Sequence, residues 1–447
     1  MQRSEPSATT KGQATLAAVL PSARKAVADA LSAVDALAQL FREGGYRLYL
    51  VGGVVREAVA GKFDALTDLD CTTDAHPHEV RRIVDSLATA VWTQGERFGT
   101  IGCTVGDRDY EITTHRADYY LSDSRKPLVT FGDDVAADLA RRDFTVNAMA
   151  VDTADGTLID PYGGYVDLQA QVLRTPLDPT VSFADDPLRM LRAARFIASH
   201  SLNPDPNLVN AVQSMTDRID IVAVERIRDE FQKLLLLSHP IEGFRFLCAT
   251  GLITRLIPEL NSRRLEESAH VVAAVAADLV SRWAALFVND SPETALLSLC
   301  RMRCSRSLTT SVSALLQARL DLIGTPATRA NVRRFAHSCA VPIDDVLAFA
   351  SAVAKASDTD QTAQSTNLLG AFAESFFELR ANEDLDMLVL PLDGTEIMAA
   401  LAIEAGPEVG RALDFLRNKT FEQGPLSKPE ALAALELWSA HELRFKS

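Results

Sequence analysis

The stretch that most constrains the fold covers residues 46–73, YRLYLVGGVVREAVAGKFDALTDLDCTT. Residues 47–51 read as a short buried strand, Gly52 and Gly53 break it, and residues 54–60 have helical spacing. A second strand begins near Thr67 and carries Asp68 and Asp70 on either side of Leu69. Side chains alternate across a strand, so the two carboxylates share one face and Leu69 points into the core. Two carboxylates on one face repel unless a cation sits between them, and hard oxygen ligands suit Mg²⁺. The glycine pair lets backbone amides approach an anion, and Arg56 lies one helical turn in, where a phosphate would sit. An anion cradle beside a metal-binding acid pair is what phosphoryl or nucleotidyl transfer needs. A D-x-D pair alone is common as a turn or a solvated strand end. The Gly-Gly-x-x-Arg upstream is what makes the parts serve one reaction.

The chain has 447 residues, too many for one core, so two or more domains are expected. A net charge of -15 argues against a general nucleic-acid-coating protein and leaves room for a local basic groove. The six cysteines (Cys71, Cys103, Cys248, Cys300, Cys304, Cys339) are scattered without a C-x-x-C, which points to reduced thiols and a cytoplasmic protein. Cys300 and Cys304 have no histidine near them in sequence and read as core. The apolar run at residues 14–20 is short and leads into Pro21 and a charged helix, so it does not read as a signal peptide. Asp278 and Arg282 interrupt the apolar run at 271–288, so no membrane span is expected.

Taken in order, residues 1–12 are polar and residues 23–43 read as an amphipathic helix with Ser22 as its cap, ended by Gly44-Gly45. Residues 76–88 read as a helix with Pro77 at its start. Residues 100–105 and 110–114, joined through Asp107-Arg108, read as a hairpin. On its second strand Glu111 and Thr113 face one way, Tyr110 and Ile112 the other. If the outer face meets the acid pair, Glu111 becomes a third carboxylate at the metals; the plain alternative is an exposed strand glutamate. Residues 118–134 show no clear period and read as a long loop, a candidate lid beside a nucleotide. Arg141, Arg142, Asp143 and Asn147 follow. On a helix Asp143 and Asn147 share a face, and two arginines with an acceptor and an amide suit a triphosphate and a ribose; the alternative is an ordinary charged helix start. Residues 158–164 read as a strand ending in a turn. From Ser182 to Leu443 the period is mostly 3.6. Residues 185–196 open a helix with Pro187 at its first position and Asp186 as its cap. Arg189, Arg192 and Arg195 spread over one broad face as a local basic patch. Residues 224–237 form another amphipathic helix.

Seven motifs in this order resemble one family, the class II tRNA nucleotidyltransferases that add CCA to tRNA 3′ ends, together with bacterial poly(A) polymerases. They are Gly52-Gly53-x-x-Arg56, Asp68-x-Asp70, Glu111-Ile112-Thr113-Thr114-x-Arg116, Arg141-Arg142-Asp143-x-x-x-Asn147, Asp160-Pro161-x-Gly163-Gly164, Asp185-Asp186-x-x-Arg189 and Glu225-Arg226-Ile227-x-x-Glu230. Each alone is weak; the ordered set is highly specific and runs through most of residues 46–237.

The resemblance implies an α+β fold: a catalytic head with a small mixed β-sheet at residues 21–178 after a flexible N-terminus (1–20), then an all-α neck (179–255), then a helical body and tail (256–447) that binds tRNA. It implies two metal ions on Asp68 and Asp70, with Mg²⁺ as the cofactor. It also implies triphosphate and sugar contacts from Arg141, Arg142, Asp143 and Asn147, and a base-reading pair of Asp186 and Arg189. Asp185 stands where the family usually has Glu, a position thought to brace the arginine. CTP, ATP and tRNA are the expected partners, with no membrane. A poly(A) polymerase, a C-only or A-only adding form, and a non-catalytic RNA-binding relative are the alternatives. Gly95-Glu96-Arg97 after the acid pair, in place of Gly and paired basic residues, leans toward CCA addition. Residues 265–290 resemble in outline a phosphohydrolase segment with an H…HD pattern, but Val288 and Asn289 stand where His-Asp would be, so this segment is expected to be degenerate and His270 a leftover histidine.

Overall fold

The computed structural model describes residues 21–63, 69–119, 128–260, 264–356, 361–385 and 390–444. The chain divides into two compact units. The first takes residues 1–234 and 242–256, the second residues 235–241 and 257–447. The α+β class expected from the sequence is the class observed, a mixed sheet followed by helices.

In the first unit, helix α1 (Pro21–Glu43) leads into strand β1 (Leu48–Val51), helix α2 (Gly53–Val59) and strand β2 (Leu69–Thr73). Helix α3 (Pro77–Val84) and strands β3 (Ala90–Trp92), β4 (Thr100–Val105) and β5 (Arg108–Thr114) follow. Next come β6 (Arg116–Tyr119), β7 (Leu128–Phe131), α4 (Val135–Ala140), β8 (Ala150–Asp152) and β9 (Leu158–Ile159). The main sheet has seven strands in the order β3-β4-β5-β2-β1-β8-β9, with β2 and β5 parallel and the other pairs antiparallel. One face is dry. The apolar stripe of α1, including Val27, Val34, Leu37 and Phe41, packs on Leu48, Leu50, Leu69, Cys71, Ile101 and Ile112. Leu69 and Cys71 therefore belong to the core, and alternation puts Asp70 and Thr72 on the other face.

Two readings of the head needed correction. Residues 118–134 are not simply a loop, because β6 and β7 pair as an antiparallel ribbon with Arg116 opposite Phe131; residues 120–127 lie outside the described residues. Residues 141–147 are not one helix. Helix α4 stops at Ala140, Arg141-Arg142-Asp143 is irregular, and Thr145–Asn147 forms a single 3-10 turn. That turn is packed against helix α5 (Gly164–Gln169) so closely that a Cβ on Gly164 would overlap the Thr145 carbonyl. Asp160 completes this corner, accepting from Gly164 N at 2.7 Å and Tyr165 N at 2.9 Å.

The helical part of this unit begins with β10 (Val172–Leu173) and helix α6 (Pro179–Asp185), then α7 (Leu188–His200), β11 (Asn203–Pro204), α8 (Pro206–Met215) and α9 (Val224–Leu235). Asp185 closes α6 instead of opening α7, and Pro187 caps α7 instead of taking its first position. Asp186 still serves the start of α7, accepting from Leu188 N at 3.2 Å.

The second unit is helical throughout its described residues, from Leu265–Ala274 to Lys428–Arg444. Trp283 and Phe287 are fully buried, and their rings stack with centroids 6.3 Å apart. Arg333 donates to both oxygens of Glu383 at 2.8 and 2.7 Å and to the Phe421 carbonyl at 2.9 Å, tying three segments together. Val288 is buried, Asn289 donates to Ser268 Oγ at 3.5 Å, and His270 is exposed. Cys300, on the last turn of the helix Pro292–Arg301, is exposed, and Cys304, beyond its end, is half-buried, against the core and the shared helix face expected of them. No described helix is long and apolar enough to cross a membrane.

Candidate functional site

A polar cavity of about 390 Å³ opens in the first unit where β1, β2, α2, α4 and α7 converge. It is lined by Gly52, Gly53, Arg56, Asp70, Arg141, Arg142, Asp143, Asn147, Asp186, Arg189, Arg192 and Phe196. Ten of the candidate site residues named from sequence thus meet in one place although they span some 140 positions.

The first wall is the β1–α2 turn. Gly52 has φ 73°, a left-handed conformation that a side chain would strain. A Cβ there would lie 3.2 Å from Arg142 Nη1 and 3.4 Å from Asp70 Oδ2, so the bare backbone lets the guanidinium and the carboxylate close in. Four residues later, Arg56 Nη1 donates to Asn147 Oδ1, while its Nε and Nη2 donate to Glu57 Oε1 at 3.1 and 3.0 Å. On β2, Asp70 stands in parallel register with Glu111 of β5, so both carboxylates lie on the face away from the core. Asp68 lies outside the described residues, and Glu111 is exposed and outside the lining of the cavity. Arg116 donates to the Phe98 carbonyl at 2.6 Å and does not line the cavity either.

The second wall is the irregular segment after α4. Asp138, fully buried on that helix, accepts from Nε and Nη2 of Arg141 at 2.9 and 2.6 Å, and Arg142 Nη2 lies 3.4 Å from its other oxygen. Thr72 Oγ1 donates to the same carboxylate at 3.3 Å, which ties this anchor to β2 two residues after Asp70. Burial works against ionised Asp138, but Arg141 and Arg142 outweigh it and hold its pKa below the ordinary carboxylate value. Asp143 is held low in the same way. Arg192 donates to it at 3.0 and 2.5 Å, Asn147 Nδ2 at 2.9 Å and Phe144 N at 2.8 Å, against the cost of burial. Asp143 and Asn147 therefore meet as expected, but through a 3-10 turn rather than a helix face.

The third wall is the α6–α7 junction. Arg189 Nη1 donates to Ser182 Oγ at 2.8 Å, and its Nη2 donates to the Arg141 carbonyl. Asp186 Oδ2 accepts from Arg226 at 2.9 Å, and Glu230 accepts from Arg195. Arg226 of the seventh motif thus supports Asp186 of the sixth, and Glu230 supports Arg195 further along α7. Phe196 floors the cavity, with the guanidinium carbons of Arg56, Arg192 and Arg195 at 5.4, 5.7 and 4.8 Å from its ring centre. Asp185 is not among the lining residues.

Asp138, Ser182 and the particular role of Arg192 were not found by sequence reasoning. The signal for Asp138 was present: an aspartate three and four residues before an arginine pair reaches both on one helical turn.

The site can receive a polyanion. Among the described residues, Arg142 Nε is buried without a hydrogen-bond partner and sits beside the open Gly52 backbone, a donor arrangement that a phosphate oxygen satisfies. Asp70 offers hard oxygen ligands next to it, in keeping with a divalent cation.

Residues 48–174 match the family described as the Poly A polymerase head domain, and residues 201–263 match the probable RNA and SrmB-binding site of polymerase A. Among curated proteins the chain is similar to CCA-adding enzymes. It is 36% identical to that of Limosilactobacillus reuteri over 215 residues, 48% of this chain and 52% of the relative. It is 34% identical to that of Bacillus velezensis over 258 residues, 57% of this chain and 63% of the relative. The chain thus spans about half the length of the first curated relatives it matches. Among solved structures, the Bacillus stearothermophilus CCA-adding enzyme in complex with CTP superposes with a TM-score of 0.67 at 24% identity, covering 95% of this chain and 100% of that one. The Thermotoga maritima CCA-adding enzyme complexed with tRNA gives 0.64 at 21% identity, covering 93% and 98%. At these identities the superpositions show the fold. The likeness to class II tRNA nucleotidyltransferases and bacterial poly(A) polymerases carried by the seven motifs is borne out.

Proposed function

We propose that the chain adds C, C and A to the 3′ end of tRNA from CTP and ATP without a template. The observation that carries this reading is the convergence of Gly52, Arg56, Asp70, Arg141, Arg142, Asp143, Asn147, Asp186 and Arg189 on one cavity. In this reading Arg141, Arg142 and Arg56 hold the triphosphate, the Gly52-Gly53 backbone approaches it, and Asp143 with Asn147 takes the ribose. Asp68 and Asp70 serve the reacting phosphate, with Glu111 beside Asp70 on the sheet. Mg²⁺ held by Asp68 and Asp70 would lower the pKa of the attacking hydroxyl and neutralise charge on the leaving oxygens. Arg116 and Asp185 act at the margin, since neither lines the cavity.

Base choice follows from hydrogen-bond order. On their Watson–Crick edges cytosine and adenine both present an amino donor beside a ring-nitrogen acceptor. The Asp186 carboxylate accepts from the amino group and the Arg189 guanidinium donates to the nitrogen. Uracil and guanine reverse that order and set a carbonyl against the carboxylate. Ser182 and the Arg141 carbonyl hold Arg189 for this task, and Arg226 holds Asp186. The proposed division is a head to residue 178, a neck to 255 and a tRNA-binding body and tail beyond, which includes a degenerate phosphohydrolase-like segment, in a cytoplasmic enzyme.

The test is direct. Purified protein is incubated with tRNA lacking its 3′ end and with one nucleotide at a time, and product length is read. Two additions from CTP followed by one from ATP support the reading. Long extension by ATP alone would establish a poly(A) polymerase instead, and no extension with any nucleotide would leave an RNA-binding relative.

A further inference from the structure

Behind Arg56 lies a second polar cavity of about 620 Å³, lined among others by Arg56, Glu57, Lys62, Gln171, Ser199 and His200. Arg56 lines both cavities, so its side chain is part of the wall between them. On the far side of that wall one carboxylate oxygen is shared. Glu57 Oε1 accepts from Arg56 Nε and Nη2 at 3.1 and 3.0 Å and lies 3.6 Å from His200 Nε2. His200 Nδ1 is 2.6 Å from Ser199 Oγ, and the imidazole stacks on Phe196 with ring centroids 5.1 Å apart and planes 12° from parallel. Phe196 in turn floors the nucleotide cavity and carries the Arg56 guanidinium over its ring.

A hydroxyl, an imidazole and a carboxylate in line suggest a hydrolytic triad, but the backbone argues against one. The second cavity receives the ends of α2, α5 and α7 rather than their beginnings. Helix ends present carbonyls, whereas an oxyanion needs donors. The same polarity suits an imidazole, which gains from a helix C-terminus.

We propose that Glu57 and His200 are positioning residues that fix Arg56 toward the phosphates of the bound nucleotide. The proposal rests on the reading of the first cavity as a nucleotide site. Arg56 is only 11% exposed, and its guanidinium is held from two sides, by Asn147 within the cavity and by Glu57 behind it. Glu57 alone would be a half-exposed side chain with freedom to turn away. His200, locked by Ser199 and the Phe196 ring, gives it a second fixed neighbour. His200 and the adjacent Arg56 outweigh burial and hold the Glu57 carboxyl down at about 2, so it is charged at every working pH.

The brace acts on a phosphate contact made equally in ground and transition states, so its loss raises KM and spares kcat. In single-nucleotide addition to tRNA lacking its 3′ end, Glu57→Gln should raise KM about five- to tenfold for CTP and ATP alike, with kcat within about twofold of wild type. His200→Gln should move KM the same way by about two- to threefold, and inhibition by inorganic pyrophosphate should weaken in parallel for both variants. Glu57→Asp, which keeps the charge, should recover part of the loss. The side chains of Glu57 and His200 are 34% and 21% exposed, so both variants should fold, and circular dichroism checks this. Unchanged KM in Glu57→Gln, an effect on one nucleotide only, or a fall in kcat with KM intact would overturn the brace. Failure of the wild-type protein to extend tRNA at all would instead overturn the functional reading on which it rests.

Discussion

Asp138→Asn isolates the anchor behind the arginine pair. The carboxylate is fully buried and accepts two short hydrogen bonds from Arg141, at 2.9 and 2.6 Å, with Arg142 and Thr72 at 3.4 and 3.3 Å from its second oxygen. A hydrogen bond to a charged group contributes about 1.5–3 kcal/mol, so the Arg141 pair alone accounts for roughly 3–6 kcal/mol. The amide keeps one acceptor, and both arginine side chains are 19% exposed and can recover some hydration, which lowers the net loss to about 2–4 kcal/mol. For a unit of this size that is a fall in Tm of about 5–10 °C. The sign with pH is fixed by the direction of the shift. The folded-state pKa of Asp138 lies below its unfolded value, so the charge stabilises at every pH above that value, near 4, and the contribution is lost as pH falls through the folded pKa. The Tm gap between wild type and variant should therefore be full at pH 7 and shrink below about pH 4. Calorimetry at both pH values measures the gap, and nucleotide addition at pH 7 should show kcat/KM reduced about tenfold or more for CTP and ATP together. A Tm within about 1 °C of wild type at pH 7, or a gap that widens in acid, would refute the anchor.

Three further outcomes are expected. Asp70→Ala should abolish nucleotide addition with the fold intact by circular dichroism; near-wild-type turnover at saturating Mg²⁺ would sink the metal assignment, and Asp68→Ala should behave alike. Arg189→Ala should shrink the preference for CTP and ATP over UTP and GTP about tenfold or more, since a bidentate-quality base contact contributes roughly 1–3 kcal/mol of discrimination; an unchanged CTP-to-UTP ratio means that α7 does not read the base. Binding of tRNA should weaken steeply between low and moderate salt, because a phosphate backbone held by local Lys and Arg releases counterions; an affinity that barely moves counts against tRNA as the substrate.

Much of the head was legible because period and punctuation agreed there. Gly52-Gly53 after a run of apolar residues can only be a turn out of a buried strand, and the alternation of Leu69, Asp70, Cys71 and Thr72 assigns each to a face before any partner strand is known. The hairpin of β4 and β5 was read nearly to the residue for the same reason. The segment after α4 was misread because spacing alone cannot separate a helix from an irregular turn. Asp143 and Asn147, four apart, meet in either case. What decided for the turn was tertiary: the close approach of Gly164 to the Thr145 carbonyl and the pull of Arg192 on Asp143, both from residues far away in sequence. The β6–β7 ribbon was missed because a two-stranded pair without a clear alternating pattern carries no periodic signal. Asp138 was overlooked for a different reason. Its spacing to the arginine pair was legible, but exposed helix pairs share that spacing, and its 0% exposure is what makes it an anchor.

The acidic balance of the chain and the anionic ligand proposed for it are reconciled at the scale of single side chains. The cavity is lined by five arginines (56, 141, 142, 189 and 192) and three aspartates (70, 143 and 186), a local balance of +2 within a chain of net charge -15. Long-range field therefore does not create the site; placement does. Arg56 is held by Glu57, Arg141 and Arg142 by Asp138, and Arg192 by Asp143, while Asp186 is drawn to Arg226. Each of these carboxylates fixes the direction of a guanidinium that would otherwise sample many rotamers, so the ordering entropy of the arginines is met when the protein folds rather than when nucleotide binds. Among the lining aspartates, Asp70 is the one that stands on the sheet in register with Glu111, and in the proposed reading it is the carboxylate whose charge a bound cation offsets. A divalent cation bound there would raise the local balance from +2 to +4, so metal and triphosphate should bind with positive coupling, each favouring the other by the same factor.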